Sequence, residues 1–282
     1  MSKKIVAMGG GTIGEMSSNG VRQPYETANM DNEIIKLSDS PKPNILFIGF
    51  ADIPYSSEYF NLIDEVYSRR YNCHCKHLSI EDIVNLETVN DYFDWADVFY
   101  VGGGNTYTLM HIIRNYGLDD KLRDAYNQGK VMCGNSAGGI CWFSYGNSVI
   151  PTDQNKNLIK LKCLGFRNMV FAPHCDEING HFENIENLLL GENMVGISLS
   201  NASAIEIIDD KYRIITADTD RYKINPFALK SFWFNDKYYI ENIEINNELS
   251  DFKKLMERMP SGKQTPEEVK CLLKRRNIYF NK

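Results

Sequence analysis

VMCGNSAG at residues 131–138 joins an apolar run to a turn of small residues, and ICWF at 140–143 follows as the start of a helix. Residues 134–138 fit the G-x-S-x-G pattern of a nucleophile elbow, in which a serine occupies a sharp turn between a strand and a helix. Small neighbours permit such a turn, and N–H groups at the helix start face developing negative charge. The stretch predicts an α/β hydrolase-type fold with chemistry centred on Ser136, the alternative being a tight turn with a buried, hydrogen-bonded serine.

Strand-like and helix-like segments alternate upstream of this turn. Apolar runs bounded by turn residues predict strands, and several are apolar on both faces, as in a parallel sheet covered by helices. The predicted strands are 4–9, 44–50, 73–78, 97–101 and 130–133, and the predicted helices are 31–37, 57–69, 106–115 and 119–128. This alternation indicates an α/β fold with a three-layer, doubly wound, mostly parallel sheet.

The C-terminal part follows a different pattern. Runs at 204–208 and 212–216, and at 229–234 and 238–243, flank short polar turns, so we expect two β-hairpins that extend or edge the sheet. A last helix begins with a capping box, in which Thr265 is the N-cap and Glu268 stands three residues later. The predicted organisation is an α/β hydrolase-like domain over residues 1–250 and a helical extension over 251–282.

Composition and charge exclude several classes of protein. The 282 residues carry a net charge of −6 with a pI near 5.5, whereas binding to nucleic acid or anionic membranes requires clustered positive charge. No apolar stretch approaches the roughly 20 residues that span a bilayer, and the N-terminus has no signal-peptide core. We therefore expect a cytoplasmic protein with no nucleic-acid or membrane partner.

The seven cysteines indicate free thiols, because their number is odd and their spacing forms no disulfide framework. Cys73, Cys75 and His77 share one face of an extended segment, but no second ligand pair follows at zinc-site spacing. We therefore predict a plain strand at this position and no metal site.

Two further glycine-rich segments lie near predicted strand ends. VGGGNT at 101–106 ends a strand and opens a helix, so its backbone amides can approach a ligand at the carboxyl edge of the sheet; the alternative is a flexible turn. GGGTIG at 9–14 fits G-x-G-x-x-G, but the following residues are loop-like rather than helical. We expect a loop that borders the pocket there, not a dinucleotide site.

A serine nucleophile needs a base, and histidine is the usual one. His174 ends another apolar run, 169–174, and is expected to reach the same sheet edge as Ser136. His111 lies on the apolar face of a predicted helix, and His181 starts a predicted surface helix. His174 is therefore the candidate base.

These motifs together resemble the peptidase E and cyanophycinase family of serine peptidases, which share the fold of class I glutamine amidotransferases. The resemblance is carried by residues 102–106, 134–138 and 173–174, in that order. It implies a monomeric or dimeric peptidase or amidase that needs no cofactor and hydrolyses small peptides or related acyl compounds through an acyl-enzyme. The roles that it implies are Ser136 as nucleophile, His174 as base, Gly104 and Ala137 as oxyanion-hole donors, and Gly103, Asn105 and Thr106 as substrate-binding residues.

The third member of the triad is open. The family places an acid either between the nucleophile and the histidine or after a Gly-Ile-x-x-Asp-Glu segment, and residues 196–201 here read GISLSN. Asn201 is thus the expected third member, with Asn147 and Asp153 as alternatives. An asparagine can orient an imidazole but brings no full charge to an imidazolium. The rival hypothesis is therefore a catalytically weak small-ligand-binding protein on the same fold.

Two features bear on substrate and reaction class. Residues 175–184 contain no Lys or Arg to pair with a carboxylate, so an aspartyl preference is not predicted. Class I amidotransferase chemistry uses a cysteine at the elbow, whereas Cys133 and Cys141 only flank Ser136. A serine hydrolase is the better hypothesis.

Overall fold

Two β-sheets carry the fold in the computed structural model, which describes residues 1–177 and 180–261. The strands are β1 (Lys4–Met8), β2 (Asn44–Ile48), β3 (His74–Leu78), β4 (Val98–Val101), β5 (Val131–Asn135), β6 (Phe143–Val149), β7 (Leu158–Lys162), β8 (Arg167–Ala172), β9 (Gly196–Leu199), β10 (Ser203–Ile208), β11 (Lys211–Thr216), β12 (Ala228–Phe234), β13 (Lys237–Asn242) and β14 (Ser250–Asp251). The helices are α1 (Ala28–Leu37), α2 (Ser56–Tyr71), α3 (Leu86–Trp95), α4 (Thr106–Asn115), α5 (Leu118–Asn127), α6 (Ala137–Ile140), α7 (Ile185–Leu189), α8 (Thr219–Tyr222) and α9 (Phe252–Leu255).

The main sheet has eight strands in the order β14-β11-β10-β1-β5-β4-β2-β3. From β1 to β3 all neighbours are parallel, while β10 runs antiparallel to β1. The five parallel strands are those predicted from the apolar runs, within two residues at each end. Because parallel strands end at one edge, the turns after β1, β4 and β5 lie close together.

Helices cover both faces of the main sheet, as predicted. Alternate residues of β1 enter two different hydrophobic clusters: Ile5 and Ala7 pack on one side, Val6 and Met8 on the other. The Val6 side packs against α1 and α2, and the Ile5 side packs against α3, α4, α5 and the inner face of the second sheet. The near-continuous burial of these strands follows from this two-sided cover.

A second sheet of six strands, in the order β13-β12-β9-β8-β6-β7, was not predicted from the sequence. Both predicted hairpins are present, but they join different sheets: β10–β11 extends the main sheet beside β1, and β12–β13 edges the second sheet beside β9. The turn between β12 and β13 has positive φ at Asn235 and Asp236, at 48° and 60°, as a tight hairpin turn requires.

The body of the protein continues past residue 250. Asp251 pairs with Lys211 to place β14 on the edge of the main sheet, and Leu255 of α9 is buried in the large hydrophobic cluster. The helix predicted from Thr265 lies outside the described residues. No helix in the described part of the chain combines the length and the apolar character needed to cross a membrane.

Candidate active site

Ser136 is the single residue between β5 and α6, and its backbone conformation is strained. Its φ is 55° and its ψ is −112°, a region that L-residues rarely occupy. The flanking glycines allow the turn to approach β4: a Cβ at Gly134 would lie 2.5 Å from the carbonyl oxygen of Val101, and one at Gly138 would lie 1.9 Å from the same atom. The segment thus has the geometry of a nucleophile elbow.

His174 contacts Ser136 directly, with 2.9 Å between Nε2 and Oγ. It follows β8, which belongs to the second sheet, so the expectation that the two residues share one sheet edge is wrong. A backbone hydrogen bond of 2.8 Å from the His174 N–H to the Gly9 carbonyl instead ties the end of β8 to the end of β1. The site therefore lies where the two sheets meet.

Asn201 accepts at the other ring nitrogen, with 2.8 Å between its Oδ1 and Nδ1 of His174. Both nitrogens of His174 are then occupied within the protein. Asp153 is half-buried, and backbone N–H groups of Asn155 and Asn157 donate to its carboxylate, which lowers its pKa. Its hydrogen bonds are thus made within its own loop rather than to the imidazole.

Asn147 is fully buried in β6 and has partners of its own. Its Nδ2 donates to the carbonyl oxygen of His181 at 2.8 Å, and its Oδ1 accepts from Nδ2 of Asn184 at 2.7 Å. These bonds hold the chain that follows His174. Of the three candidates, the structure brings only Asn201 to the imidazole.

Two carboxylates stand behind Asn201. Asp176 accepts from the Asn201 backbone N–H at 2.7 Å, and Glu177 accepts from the Asn201 Nδ2 at 2.7 Å. The Glu177 carboxylate also comes within 3.3 Å of Nδ1 of His174. In the sequence, both residues belong to a segment without Lys or Arg, and nothing else marks them. Their proximity to Asn201 is a tertiary contact with no local signal.

The first glycine segment packs against this histidine–asparagine pair. Gly10 has a φ of 134°, and a Cβ there would lie 1.9 Å from Oδ1 of Asn201 and 2.6 Å from Nδ1 of His174. The Gly10 carbonyl accepts from the Ala202 N–H at 3.1 Å. The 9–14 loop therefore borders the site, as expected from its glycine-rich sequence. Gly10 makes room there for the histidine–asparagine pair rather than for a nucleotide.

The predicted oxyanion donors lie on the two turns beside Ser136. A Cβ at Gly103 would sit 3.5 Å from the Cβ of Ser136, which places the 102–104 turn against the nucleophile. Gly104 has a φ of 137°, and a Cβ there would lie only 2.5 Å from the carbonyl oxygen of Ala51, which excludes a side chain. Ala137 is the first residue of α6, where an N–H has no acceptor within its own helix. The donor role of Gly104 and Ala137 stays a prediction.

Asn105 and Thr106 have structural roles in this turn. Asn105 is the N-cap of α4: its Oδ1 accepts from the Thr108 N–H at 2.9 Å, while its Nδ2 donates to the Val149 carbonyl at 3.0 Å. Thr106 is buried, with 3% of its surface exposed. Contact of either side chain with a substrate stays a prediction, whereas Gly103 does face Ser136.

The nearby thiols are unsuited to act as nucleophiles. Cys133 and Cys141 are fully buried, and burial raises the pKa of each thiol well above its usual range. Amidotransferase chemistry therefore has no cysteine to use at the elbow. Within residues 1–177 and 180–261, no group of three His, Cys, Asp or Glu residues could hold a metal ion.

A second serine–histidine contact provides a useful comparison. Oγ of Ser56 lies 2.7 Å from Nε2 of His77, at the start of α2. Ser56 has ordinary helical angles, with φ −58° and ψ −41°, and burial lowers the pKa of His77. The two sites differ in two respects. Ser136 has a strained backbone, whereas Ser56 does not, and Asn201 contacts the ring of His174.

Comparisons with known proteins identify the class. The family model described as "Peptidase family S51" matches residues 15–215. The chain is 32% identical over 212 residues to "Uncharacterized peptidase YgaJ" of Bacillus subtilis, a match that covers 74% of this chain and 85% of that protein. It is 25% identical over 234 residues to "Peptidase E" of a Nostoc species, covering 76% and 86%.

Solved structures share the fold. A crystal structure of a peptidase from an acI-B1 Actinobacterium matches with a TM-score of 0.63 at 17% identity, covering 89% of this chain and 98% of that one. A putative peptidase E protein from Listeria monocytogenes EGD-e matches with a TM-score of 0.56 at 16% identity, covering 77% and 100%. Fold and family matches together define a serine hydrolase. The chain belongs to peptidase family S51, the peptidase E-like serine peptidases, which confirms the resemblance drawn from its motifs.

Proposed function

We propose that this serine peptidase hydrolyses small peptides or related acyl compounds through an acyl-enzyme on Ser136, with His174 as general base. The observation that carries the proposal is the 2.9 Å contact between Oγ of Ser136 and Nε2 of His174 at a strained turn. A neutral imidazole that accepts the serine proton at Nε2 must carry its own proton on Nδ1, which Oδ1 of Asn201 accepts.

In the proposed first step, Oγ of Ser136 bonds to the substrate carbonyl carbon while its proton passes to Nε2 of His174. N–H groups of Gly104 and Ala137 stabilise the negative oxygen that forms, and loss of one such donor typically costs about 10²–10³ in rate. The histidine then returns the proton to the leaving nitrogen as the scissile C–N bond breaks. In the second step a water oxygen bonds to the acyl carbonyl carbon and gives a proton to Nε2 of His174. The ester bond to Oγ breaks and the proton passes to Oγ, which releases the acid and regenerates Ser136.

Two observations support the proposed substrate class. The chain is similar to proteins named as peptidases, including one named Peptidase E. Residues 175–184 contain no Lys or Arg to pair with a substrate carboxylate. We therefore propose small peptides or related acyl compounds, without an aspartyl preference.

The rival function, a catalytically weak binding protein, rests on the uncharged side chain of Asn201. The carboxylates of Asp176 and Glu177 lie within 2.7 Å of Asn201 donor atoms, so negative charge is present at the site after all. This observation removes the specific reason for preferring the rival, and we do not propose it.

The test is hydrolysis of a dipeptide library followed by mass spectrometry of the products. We expect the wild-type protein and Ser56→Ala to cleave the same subset of peptides, because Ser56 lies outside the proposed site. Ser136→Ala should lose this activity by at least about 10³-fold. Equal cleavage by wild type and Ser136→Ala would overturn the proposal.

A further inference from the structure

We infer that Glu177, together with Asp176, is the anionic end of a hydrogen-bond chain that runs from Ser136 through His174 and Asn201. Both carboxylates act as positioning residues, and the inference rests on the function proposed above. In this chain the asparagine transmits the orientation, while the two acids supply the charge that an asparagine lacks.

The carboxylates determine which way the Asn201 amide faces. An ionised carboxylate only accepts hydrogen bonds. The part of the Asn201 side chain that faces Asp176 and Glu177 must therefore be its NH₂ group. Its Nδ2 lies 2.7 Å from Oε1 of Glu177 and 3.2 Å from Oδ1 of Asp176. The amide oxygen is then directed at Nδ1 of His174.

That amide orientation in turn selects the histidine tautomer. With Oδ1 of Asn201 2.8 Å from Nδ1, the ring proton of neutral His174 is held on Nδ1. Nε2 is left as the acceptor for the Ser136 hydroxyl, at 2.9 Å. The two acids therefore prepare the base form of the imidazole without touching the substrate.

Glu177 also bears on the charged form. Its Oε1 is 3.3 Å from Nδ1 of His174, close enough to favour the imidazolium that forms when Ser136 loses its proton. No proton moves to Glu177: the ring keeps the Nδ1 proton and later returns the Nε2 proton to the leaving nitrogen. His181 is the other titratable neighbour; burial lowers its pKa, His174 lowers it further, and Glu177 opposes both.

The main-chain bonds fix this geometry. Asp176 accepts from the Asn201 N–H at 2.7 Å, while the next residue before it, Cys175, donates its backbone N–H to the Leu199 carbonyl at 2.9 Å. The segment after β8 is thus joined both to Leu199, the last residue of β9, and to Asn201 itself. Asp176 holds the asparagine backbone, and Glu177 holds its side chain.

The experiment measures acylation of the full chain by a fluorophosphonate and kcat/KM for a cleaved peptide across pH. Glu177→Gln should react roughly tenfold more slowly, because its charge is half-exposed and partly screened, and Asp176→Asn/Glu177→Gln roughly 100-fold more slowly. The acidic limb of kcat/KM should move to lower pH, since removal of negative charge makes the imidazolium easier to deprotonate. Glu186→Gln, an exposed glutamate on α7, is the matched control and should change neither quantity.

Rescue distinguishes charge from mere packing. Adding Asn201→Asp to the double variant should restore acylation to within about tenfold of wild type, because a carboxylate again contacts Nδ1 of His174. Wild-type rates in the double variant, or slower rates with an unmoved acidic limb and no rescue, would overturn the inference. A folded wild type that is never acylated would instead overturn the proposed function, so the two failures are distinct.

Discussion

Gly10 leaves the space that the hydrogen bond between His174 and Asn201 occupies. An added methyl group would lie 1.9 Å from Oδ1 of Asn201, so Gly10→Ala must push the pair apart. We expect acylation of Ser136 to fall by about 10²-fold, the scale of a displacement near 1 Å in a catalytic group. The second-order rate constant of fluorophosphonate labelling measures this effect.

Gly20→Ala is the matched control for this prediction. Gly20 also has a positive φ, of 77°, but a Cβ there would meet no atom within 4 Å. The Gly20→Ala variant should therefore have a strained backbone at residue 20 but the wild-type rate of Ser136 labelling. Equal labelling rates in Gly10→Ala and wild type would contradict the assigned contact.

The residues of the site differ in how far the sequence could predict them. Ser136 and His174 stand in local patterns, a small-residue turn after a strand and an apolar run that ends in histidine. Gly10 lies in the 9–14 loop, for which the sequence predicts only that the loop borders the pocket. No local pattern encodes its contact with Asn201, 191 positions further along the chain, or the contact of Glu177 with Asn201, 24 positions away. Tertiary packing determines both contacts.

Two helices of similar length test what the N-cap of α4 contributes. Asn105 caps α4 and also donates to the Val149 carbonyl, whereas Asn85 caps α3 by accepting from the Glu87 and Thr88 N–H groups. We expect Asn85→Ala to lower the free energy of unfolding by about 1 kcal/mol and Asn105→Ala by about 2 kcal/mol, since Asn105→Ala loses the bond to the Val149 carbonyl of β6 in addition to the cap. Urea denaturation measures both, and equal losses would contradict a role for the Val149 contact.

Elements with a strong pattern were predicted and those without one were not. The parallel strands of the main sheet are continuous apolar runs, and α4 was predicted with its observed bounds, 106–115. β6 instead reads FSYGNSV, with Gly, Asn and Ser residues that disfavour strands. A Cβ at Gly146 would lie 2.3 Å from Cγ2 of Ile140, so packing against α6 requires a glycine at this position. The same glycine weakens the strand pattern in the sequence, and β6 was therefore not predicted.

At the scale of the whole molecule, the site exists because two sheets end at one place. The N–H of Gly9 donates to the Ser203 carbonyl and the N–H of His174 donates to the Gly9 carbonyl, both at 2.8 Å. β1 and β10 of the main sheet are thereby joined to β8 of the second sheet. The hairpins could be predicted from their turns, but their assignment to different sheets depends on this long-range pairing.

The buried carboxyl of Asp31 makes stability depend on pH. Hydroxyl groups of Tyr25, Thr27 and Tyr67 donate to it at 2.8, 2.9 and 2.7 Å, yet burial outweighs these bonds and raises its pKa. The folded protein therefore keeps this proton where the unfolded chain has lost it, so the contribution of Asp31 to stability falls as pH rises above the ordinary value for aspartate.

Replacement by asparagine removes that titration. We expect the stability of Asp31→Asn relative to wild type to improve between pH 4 and pH 8, as measured by urea denaturation at each pH. Asp91→Asn, at an exposed position of α3, is the control and should show no such trend. A difference in the free energy of unfolding that is constant with pH, or that increasingly favours the wild type as pH rises, would contradict a buried carboxyl that retains its proton.

The central claim is that Ser136 is an activated nucleophile whose base is His174. The most direct measurement is fluorophosphonate labelling of wild type, Ser136→Ala, His174→Ala and Ser56→Ala, each verified as folded, with the adduct mapped by mass spectrometry. We predict one adduct, on Ser136, in wild type and in Ser56→Ala, and none in the other two variants. An unlabelled wild type, or an adduct on Ser56, would contradict the account.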